Sequence, residues 1–320
     1  MKLNISRREI TMSGILGLVV GDALGVPVEF VRREIIKKNP VNDMIGYGTY
    51  NMPPGTWSDD SSMALCLLDS LSKGLDYSDI MQKFLAWLND AEYTPYGKVF
   101  DVGRTCMTAV FRFPKGTPPI MCGGTKENEN GNGSLMRILP IVFYLTSIYG
   151  NDFSEHEEAF EIIHNVSALT HAHARSKTAC GIYISIAGDM TDVPDVSTGV
   201  QSGLNKARAY YESKKELSGE FEHYSRIYSN GFADLPESEI KSSGYVVDTL
   251  EAALWCLLNT DSYESCVLKA VNLGQDTDSV AAVAGGIAGL CYGLNAIPVK
   301  WLERIARLDY INALCEALLI

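Results

Sequence analysis

The sequence of 320 residues predicts an all-α protein. Apolar residues recur at three- and four-residue spacing along several segments, which is typical of amphipathic helices that share one core. No series of alternating strands separated by turn signals appears, and this disfavours an α/β or all-β class. Glycine and proline cluster between the periodic segments, at 51–55, 114–124 and 130–133, where they indicate loops.

The helical pattern is clearest in four segments, namely Ser62–Leu71, Ile80–Leu88, Ile138–Leu145 and Thr249–Leu258. A fifth stretch, Ala179–Ala187, has the composition of a buried strand, but its long lead-in favours a buried helix. The most polar region is 205–243, which we interpret as a surface excursion, with a helical hairpin as one form open to it. Because the strongest acidic motifs lie on either side of that region, we expect residues 1–320 to form a single domain.

The net charge of the chain limits the classes of ligand that it is expected to bind. Lys and Arg number 27 against 39 Asp and Glu, a net charge of −12. Nonspecific binding to nucleic acid or to an anionic membrane is therefore not expected. A small polyanion stays open as a ligand, because helix N-termini or bound cations can supply local positive potential.

The cysteines and apolar runs predict a cytoplasmic protein. The eight cysteines are scattered without a C-x-x-C pair, as buried thiols in a reducing compartment would be. The apolar run Gly14–Gly21 follows Arg7 and Arg8 like the start of a secretion signal, but Asp22 follows it directly and no cleavage site is present. The apolar run Ser279–Leu294 falls short of the ~20 residues that a membrane span needs.

The first acidic motif, Ser58-Asp59-Asp60, stands at the start of a helical pattern. For an isolated Asp-Asp pair the ordinary explanation is helix capping and a favourable interaction with the helix dipole. That explanation stays open for this motif when it is considered alone.

The second motif, Asp276-Thr277-Asp278-Ser279, also opens a helical pattern. Residues i and i+2 point to different faces within a helix, so both carboxylates and the Ser279 hydroxyl converge only at a non-helical first turn. Together the two motifs form an all-oxygen ligand set, which suits Mg²⁺, Mn²⁺ or Ca²⁺ and argues against zinc. Four clustered carboxylates would repel one another without a cation, so we expect one or two ions.

Five stretches in order carry a family resemblance: GLVVGDALGVPVEF, GTWSDDSSMALCLLDSL, YTPYGKVFDVGRTCMTAV, GNGSLMRILPI with SALTHAHARS, and LGQDTDSVAAVAGGIAGL. This ordered set, which spans residues 17–290, resembles the ADP-ribosylglycohydrolase family. That family includes the dinitrogenase reductase-activating glycohydrolase and the ADP-ribosyl-acceptor hydrolases. The resemblance implies a compact orthogonal helical bundle with a binuclear Mg²⁺ (or Mn²⁺) site at helix N-termini.

The resemblance also implies roles for individual residues. The metal ligands would be Ser58, Asp59, Asp60, Asp276, Asp278 and Ser279, with serine in both motifs where the family usually has threonine. That exchange keeps the ligating hydroxyl and loses a methyl group. The catalytic residues would be Glu29, Asp60 and Asp278, with Glu29 as general base or as a ligand that moves aside for substrate. The substrate contacts would be Asp101, Gly103, Asn132, Gly133, Ser134 and His171.

The implied reaction is hydrolysis of the bond between C1 of the distal ribose and an acceptor, either a modified protein or a small molecule. Arginine linkage is favoured over serine linkage. Cleavage at an anomeric carbon develops oxocarbenium character, for which carboxylates and an activated water are suited. A catalytically silent ADP-ribose-binding or structural protein is the first alternative. An isoprenoid synthase is the second, although its Asp-Asp-x-x-Asp motif would need an acidic residue where Met63 stands.

Overall fold

All regular structure in the described part of the chain, residues 6–190 and 195–318 of a computed structural model, is helical. This confirms the all-α prediction. The α-helices are α1 (Arg7–Gly25), α2 (Arg33–Ile36), α3 (Asp59–Leu71), α4 (Tyr77–Asp90), α5 (Arg104–Val110), α6 (Pro140–Tyr149), α7 (Glu157–Ala168), α8 (Ala174–Met190), α9 (Val196–Ser213), α10 (Lys215–Phe221), α11 (Val246–Leu258), α12 (Tyr263–Asn272), α13 (Thr277–Tyr292), α14 (Val299–Leu302) and α15 (Leu308–Ala317).

Local sequence accounts for several of these boundaries. The helix expected from Ile138 begins at Pro140, because proline has no amide hydrogen and suits the first helical turn. Helix α4 begins after Asp76, whose carboxylate accepts hydrogen bonds from the amides of Ser78 and Asp79. The prediction of a buried helix over Ala179–Ala187 is confirmed, since α8 is buried along that stretch.

Helices α1 and α13 form the centre of the fold and run antiparallel. A Cβ built on Gly17 would lie 2.4 Å from the carbonyl oxygen of Gly285, and one built on Gly21 would lie 2.1 Å from that of Ala281. Because a later residue of α1 contacts an earlier residue of α13, the two helices run in opposite directions. Only glycine allows the two backbones to approach this closely.

Substitution of Gly21 by alanine is expected to destabilise the protein by about 3 kcal/mol or more, because the new Cβ meets backbone rather than a movable side chain. Gly219 in α10 is the matched control, since nothing lies within 4 Å of a Cβ built there. Gly219→Ala is expected to be neutral or to stabilise by about 0.5–1 kcal/mol. Thermal unfolding of both variants checks this; equal melting temperatures would contradict the close α1–α13 contact.

The same contact brings distant chain segments together at one end of the bundle. A Cβ on Gly25, the last residue of α1, would lie 2.3 Å from the Cα of Asp278 in the first turn of α13. The start of α3 joins them, because the amide of Ser58 donates to both carboxylate oxygens of Asp22 in α1, at 2.9 and 3.0 Å. Three helix ends therefore meet at one point.

The polar region 205–243 contains the end of α9, all of α10 and a 3₁₀ segment at Glu222–Tyr228. Two of its tyrosines are buried against α7 and α8: the Tyr211 hydroxyl lies 2.8 Å from Nε2 of His164, and the Tyr224 hydroxyl donates to the carbonyl of Arg175 at 2.7 Å. The region packs on the helices beside it and buries part of its own apolar surface.

One stretch, Arg7–Val28, is long and apolar enough by length and composition to cross a membrane. However, 89% of its most apolar window is buried inside the fold. This is the environment of the central helix of a soluble protein, in agreement with its contact with α13.

Candidate metal centre and substrate pocket

A pocket of about 240 Å³ opens beside the C-terminal end of α1 and the N-terminal ends of α3 and α13. The loops that precede α5 and α6 also contribute to its lining. Most of the sequence-predicted site residues line it, namely Glu29, Asp59, Asp101, Gly103, Asn132, Gly133, His171, Asp276 and Ser279. The other four, Ser58, Asp60, Ser134 and Asp278, are buried. The tertiary structure therefore brings together segments separated by more than two hundred residues.

The first acidic motif forms the N-terminus of α3. Ser58 is the N-cap, with extended backbone, and its hydroxyl accepts from the amide of Asp60 at 3.3 Å. The same hydroxyl lies 3.0 Å from Oδ2 of Asp60. Asp59 and Asp60 occupy the first turn, where the helix dipole favours negative charge. The cap is therefore Ser58, and the two aspartates interact with the helix dipole rather than capping the helix, while Oδ1 of Asp60 has no hydrogen-bond partner among the described residues.

The second motif forms the N-terminus of α13 and contacts the first. Asp276 is the N-cap with non-helical backbone (φ −88°, ψ 71°), as the i, i+2 spacing required. The hydroxyl of Ser279 donates to Oδ2 of Asp60 at 3.2 Å, across the two helix ends. Oδ1 of Asp278 accepts from the amide of Ser279 at 2.9 Å, and its Oδ2 has no partner within the described residues.

Asp22 belongs to this cluster, although the sequence interpretation did not include it among the site residues. In addition to the Ser58 amide, its carboxylate accepts from the amide of Ser61 at 3.0 Å and from the Ser61 hydroxyl at 2.5 Å. Asp22 therefore fixes the start of α3 against α1. The one signal that could have revealed it is a charged residue in the middle of the apolar run GLVVGDALGV.

The buried carboxylates of this cluster have raised pKa values, which is the electrostatic environment expected of a cation site without its cation. Burial and then neighbouring carboxylates raise the pKa values of Asp59, Asp60 and Asp278 well above their usual range. Burial raises the pKa of Asp22 to about 6, against the opposing effect of its hydrogen bonds. Desolvation and like-charge repulsion both disfavour ionised carboxylates here, and a bound cation would reverse both effects.

The donor set fits divalent metal ions. Ligand oxygens of Asp22, Asp60 and Asp278 lie within 4.8 Å of one another, and so do those of Glu29, Asp101 and Asp278. Asp278 is common to both groups, as a ligand shared by two adjacent ions would be. Unpartnered buried carboxylate oxygens with adjacent serine hydroxyls match the oxygen ligands that Mg²⁺ and Mn²⁺ prefer.

Glu29 stands at the edge of the cluster beside Tyr50, a residue that the sequence interpretation missed. Burial, followed by the charge of Asp101, raises the pKa of Glu29 to about 10, while a hydrogen bond from the Tyr50 hydroxyl opposes the shift. Tyr50 also hydrogen-bonds Asp101, and burial followed by these two carboxylates raises the pKa of the Tyr50 phenol. No pattern in the sequence marks Tyr50, because its partners lie in two other loops.

Two strained residues hold Glu29 next to Asp276. Phe30 and Gln275 both have left-handed backbone (φ 62° and 67°), which is uncommon for residues with side chains of this size. The amide of Phe30 donates to the carbonyl of Gln275 at 2.6 Å, and the amide of Gln275 donates to the carbonyl of Val31 at 2.9 Å. These paired bonds fasten the loop after α1 to the residue before the second acidic motif.

The opposite wall of the pocket comes from the turn before α6 and the loop after α7. The side-chain amide of Asn132 donates to Oδ2 of Asp276 at 2.9 Å and to the Thr249 hydroxyl at 3.0 Å. Gly133 lies against the imidazole of His171, since a Cβ there would be 2.8 Å from its Cε1. Ser134 does not line the pocket: it is fully buried, and its hydroxyl accepts from Ser167 at 3.0 Å.

A family model described as ADP-ribosylglycohydrolase matches residues 4–320, almost the whole chain. The chain belongs to the ADP-ribosylglycohydrolase family. This confirms the resemblance inferred from the five ordered stretches, and it replaces the isoprenoid-synthase alternative. The protein is accordingly placed among hydrolases that act on ADP-ribosyl glycosidic bonds.

Curated and structural relatives agree with that membership. The chain is 33% identical over 306 residues to the ADP-ribosylarginine hydrolase Tri1 of Serratia proteamaculans, covering 95% of this chain and 77% of that protein. It is 31% identical over 299 residues to the ADP-ribosyl-[dinitrogen reductase] glycohydrolase of Rhodospirillum rubrum, covering 92% and 89%. A solved structure of an ADP-ribosylglycohydrolase-related protein complex superposes with a TM-score of 0.77 at 30% identity, covering 98% of this chain and 97% of that one.

Proposed function

We propose that this ADP-ribosylglycohydrolase releases ADP-ribose from modified arginine by cleaving the bond at C1 of the distal ribose, with two Mg²⁺ (or Mn²⁺) as cofactors. The observation that carries the proposal is the set of buried carboxylate oxygens without partners, on Glu29, Asp60 and Asp278, beside an open pocket. The names of the relatives from Serratia and Rhodospirillum support arginine and a modified protein as the acceptor.

The cations would be held by Ser58, Asp59, Asp60, Asp276, Asp278 and Ser279. When bound, they supply Lewis acidity that lowers the pKa of water and neutralises the carboxylate cluster. Asp22 holds the first of these ligand segments in place through its bonds to Ser58 and Ser61. The serine hydroxyls stand where the family usually has threonine hydroxyls, so the oxygen ligand set is kept.

In the proposed chemistry the oxygen of a water forms a bond to C1 as the bond from C1 to the guanidine nitrogen breaks. Glu29 takes one proton from that water on its carboxylate, and the departing guanidine receives a proton in return. Glu29 lies at the pocket edge beside Tyr50, and the bound cations would lower its raised pKa so that its ionised carboxylate can take this proton. Water is used up and no other co-reactant is needed.

The ADP-ribosyl group is proposed to lie along the wall formed by Asp101, Gly103, Asn132, Gly133 and His171. Ser134 contributes by supporting the turn from behind, through its bond with Ser167, rather than through its hydroxyl in the pocket. The backbone amides of this turn can approach the diphosphate oxygens closely because two of the residues are glycine. This would admit an anionic substrate in spite of the net charge of −12.

The proposed setting is the cytoplasm, with ADP-ribosylated proteins or small molecules as partners and without nucleic-acid or membrane binding. All eight cysteines are free thiols, seven of them buried, which suits a reducing compartment.

A panel of linkages tests the proposal. The protein with Mg²⁺ is incubated with arginine-linked, serine-linked and base-linked ADP-ribose, and free ADP-ribose is measured. Release from the arginine linkage well above the other two is expected, with loss of release in Asp59→Asn. Binding of ADP-ribose without release from any linkage would favour a silent binding protein. Release from the serine linkage alone would overturn the arginine assignment.

A further inference from the structure

A buried arginine stands behind the pocket wall with no carboxylate beside it. Arg137 is fully buried, and none of the ion pairs among the described residues includes it. Its Nε and Nη1 have no hydrogen-bond partner there. Burial lowers the pKa of its guanidinium, yet arginine stays charged in proteins. A buried cation without a counter-charge, with two of its three nitrogens unpartnered, costs several kcal/mol, and a leucine or methionine would fill the space without that cost.

Arg137 is connected to the pocket through one hydroxyl. Its Nη2 donates to Oγ1 of Thr170 at 2.7 Å, and that oxygen lies 2.9 Å from Nδ1 of His171. The guanidinium also stacks on the Phe84 ring, 4.8 Å from its centroid, which fixes its plane. The three polar groups therefore form a continuous line from the core to an imidazole that lines the pocket.

Among the described residues, the Thr170 hydroxyl is the hydrogen-bond partner of Nδ1 of His171, because the neighbouring backbone groups bond to one another. The amide of His171 donates to the carbonyl of Ser167 at 2.8 Å, and the Ser167 hydroxyl donates to the carbonyl of His171 at 3.0 Å. On the pocket side the ring faces two glycines: a Cβ on Gly131 would be 3.6 Å from Nε2, and one on Gly133 would be 3.5 Å from it. The Nε2 edge thus faces the pocket wall, and the Nδ1 edge faces Thr170.

Burial and the charge of Arg137 together affect the protonation state and the tautomer of the His171 imidazole. Burial, and then the charge of Arg137, lowers the pKa of His171 to about 3, so the ring is neutral at physiological pH. A cation behind Thr170 favours the tautomer whose Nδ1 lone pair points toward it, and the proton then resides on Nε2. In this arrangement His171 presents an N–H donor to the pocket.

We propose that Arg137 and Thr170 are positioning residues that orient the His171 imidazole, so that its Nε2–H is directed at an oxygen of the ADP-ribosyl group. The inference rests on the proposed function for the identity of that group. The otherwise costly burial of the guanidinium is explained, since its charge orients a donor in a pocket that four carboxylates line, those of Glu29, Asp59, Asp101 and Asp276.

The test compares three threonine variants. Thr170→Val removes the hydroxyl with little change in volume, and Thr170→Ser restores it. Thr178→Val is the matched control, because Thr178 is fully buried and its hydroxyl has no partner within the described residues. We expect Thr170→Val to lower kcat/KM for the arginine-linked substrate about tenfold, mainly through KM, as loss of one oriented hydrogen bond would. Thr170→Ser should stay within about twofold of the parent, and Thr178→Val should match it.

A second readout does not depend on turnover. Nitrogen-15 NMR of the histidine side chains is expected to show His171 with its proton on Nε2 in the parent and in Thr170→Ser, and a mixture of tautomers in Thr170→Val. An unchanged spectrum together with unchanged kcat/KM in Thr170→Val would overturn the proposal. Equal losses in the valine and serine variants would also overturn it, because packing would then be the cause. If the parent releases no ADP-ribose, the proposed function fails, while the spectrum still tests the positioning role.

Discussion

Asp278→Asn is expected to reduce ADP-ribose release by about 1000-fold or more while leaving the fold at least as stable. Asp278 is the residue common to both groups of candidate ligands, so its loss affects both proposed ions. Removal of a ligand of a catalytic ion costs at least as much as removal of a single oxyanion donor, for which 10²–10³ is typical. Steady-state kinetics at saturating Mg²⁺ measure this effect.

The stability part of the prediction has the opposite sign from that of an ordinary core mutation. In the metal-free protein Asp278 is buried, and its pKa is raised first by burial and then by Glu29 and other carboxylates. Asparagine keeps the shape and removes the charge, so repulsion falls. The melting temperature of metal-free Asp278→Asn should therefore equal or exceed that of the metal-free parent.

Asp69→Asn is the matched control on α3. Burial acts to raise the pKa of Asp69, but hydrogen bonds from Lys83 and Tyr93 lower it on balance. The Lys83 ammonium lies 2.7 Å from Oδ2 of Asp69, far from the pocket lining. This variant should lose stability and keep its activity. A loss of both stability and activity in Asp278→Asn would contradict a metal-binding role and favour a structural one.

Removal of metal is expected to abolish release and to make stability fall as pH rises. Asp22 and Glu29 have folded pKa values raised to about 6 and about 10, above the unfolded values near 4. A group with a raised folded pKa stabilises the fold fully below its unfolded pKa, and this contribution is lost as pH rises through the folded value. As far as these two groups are concerned, the metal-free protein should thus be most stable at and below about pH 4, and less stable at pH 8 than at pH 5.5.

Bound cations should remove most of this dependence, because they stabilise the ionised carboxylates. The increase in melting temperature on adding Mg²⁺ to chelator-treated protein is therefore expected to be larger at pH 8 than at pH 5.5. Differential scanning calorimetry at the two pH values measures it. An Mg²⁺ effect that is equal at both values, or absent, would contradict the assignment of these carboxylates to a cation site.

Much of the fold and of the acidic cluster could be predicted because the signals are local. Helical periodicity needs neighbours three and four residues apart, and the helix starts at Ser58 and Asp276 are encoded in a few consecutive residues. The glycines of α13 do not by themselves reveal which helix packs against them. That neighbour is α1, whose own glycines form the matching surface.

The residues that were missed have partners far away in the chain. Asp22 acts on α3 about 36 residues later, Tyr50 joins Glu29 to Asp101, and Thr170 joins Arg137 to His171. Apart from the adjacent pair Thr170 and His171, none of these pairings has a spacing that a helix or turn would impose. Ser134 illustrates the reverse case, since its neighbours Asn132 and Gly133 line the pocket while its own side chain turns into the core.

The sequence by itself determined the helical class, the family and the two oxygen-rich motifs at helix starts, because each depends on residues close together in the chain or on an ordered set of motifs. Only the tertiary structure decided that three helix ends meet, that Asp22 and Tyr50 belong to the site, and that a buried guanidinium stands behind His171. The physical reason is the backbone contact of α1 with α13, which fixes distances between segments that the chain order leaves free.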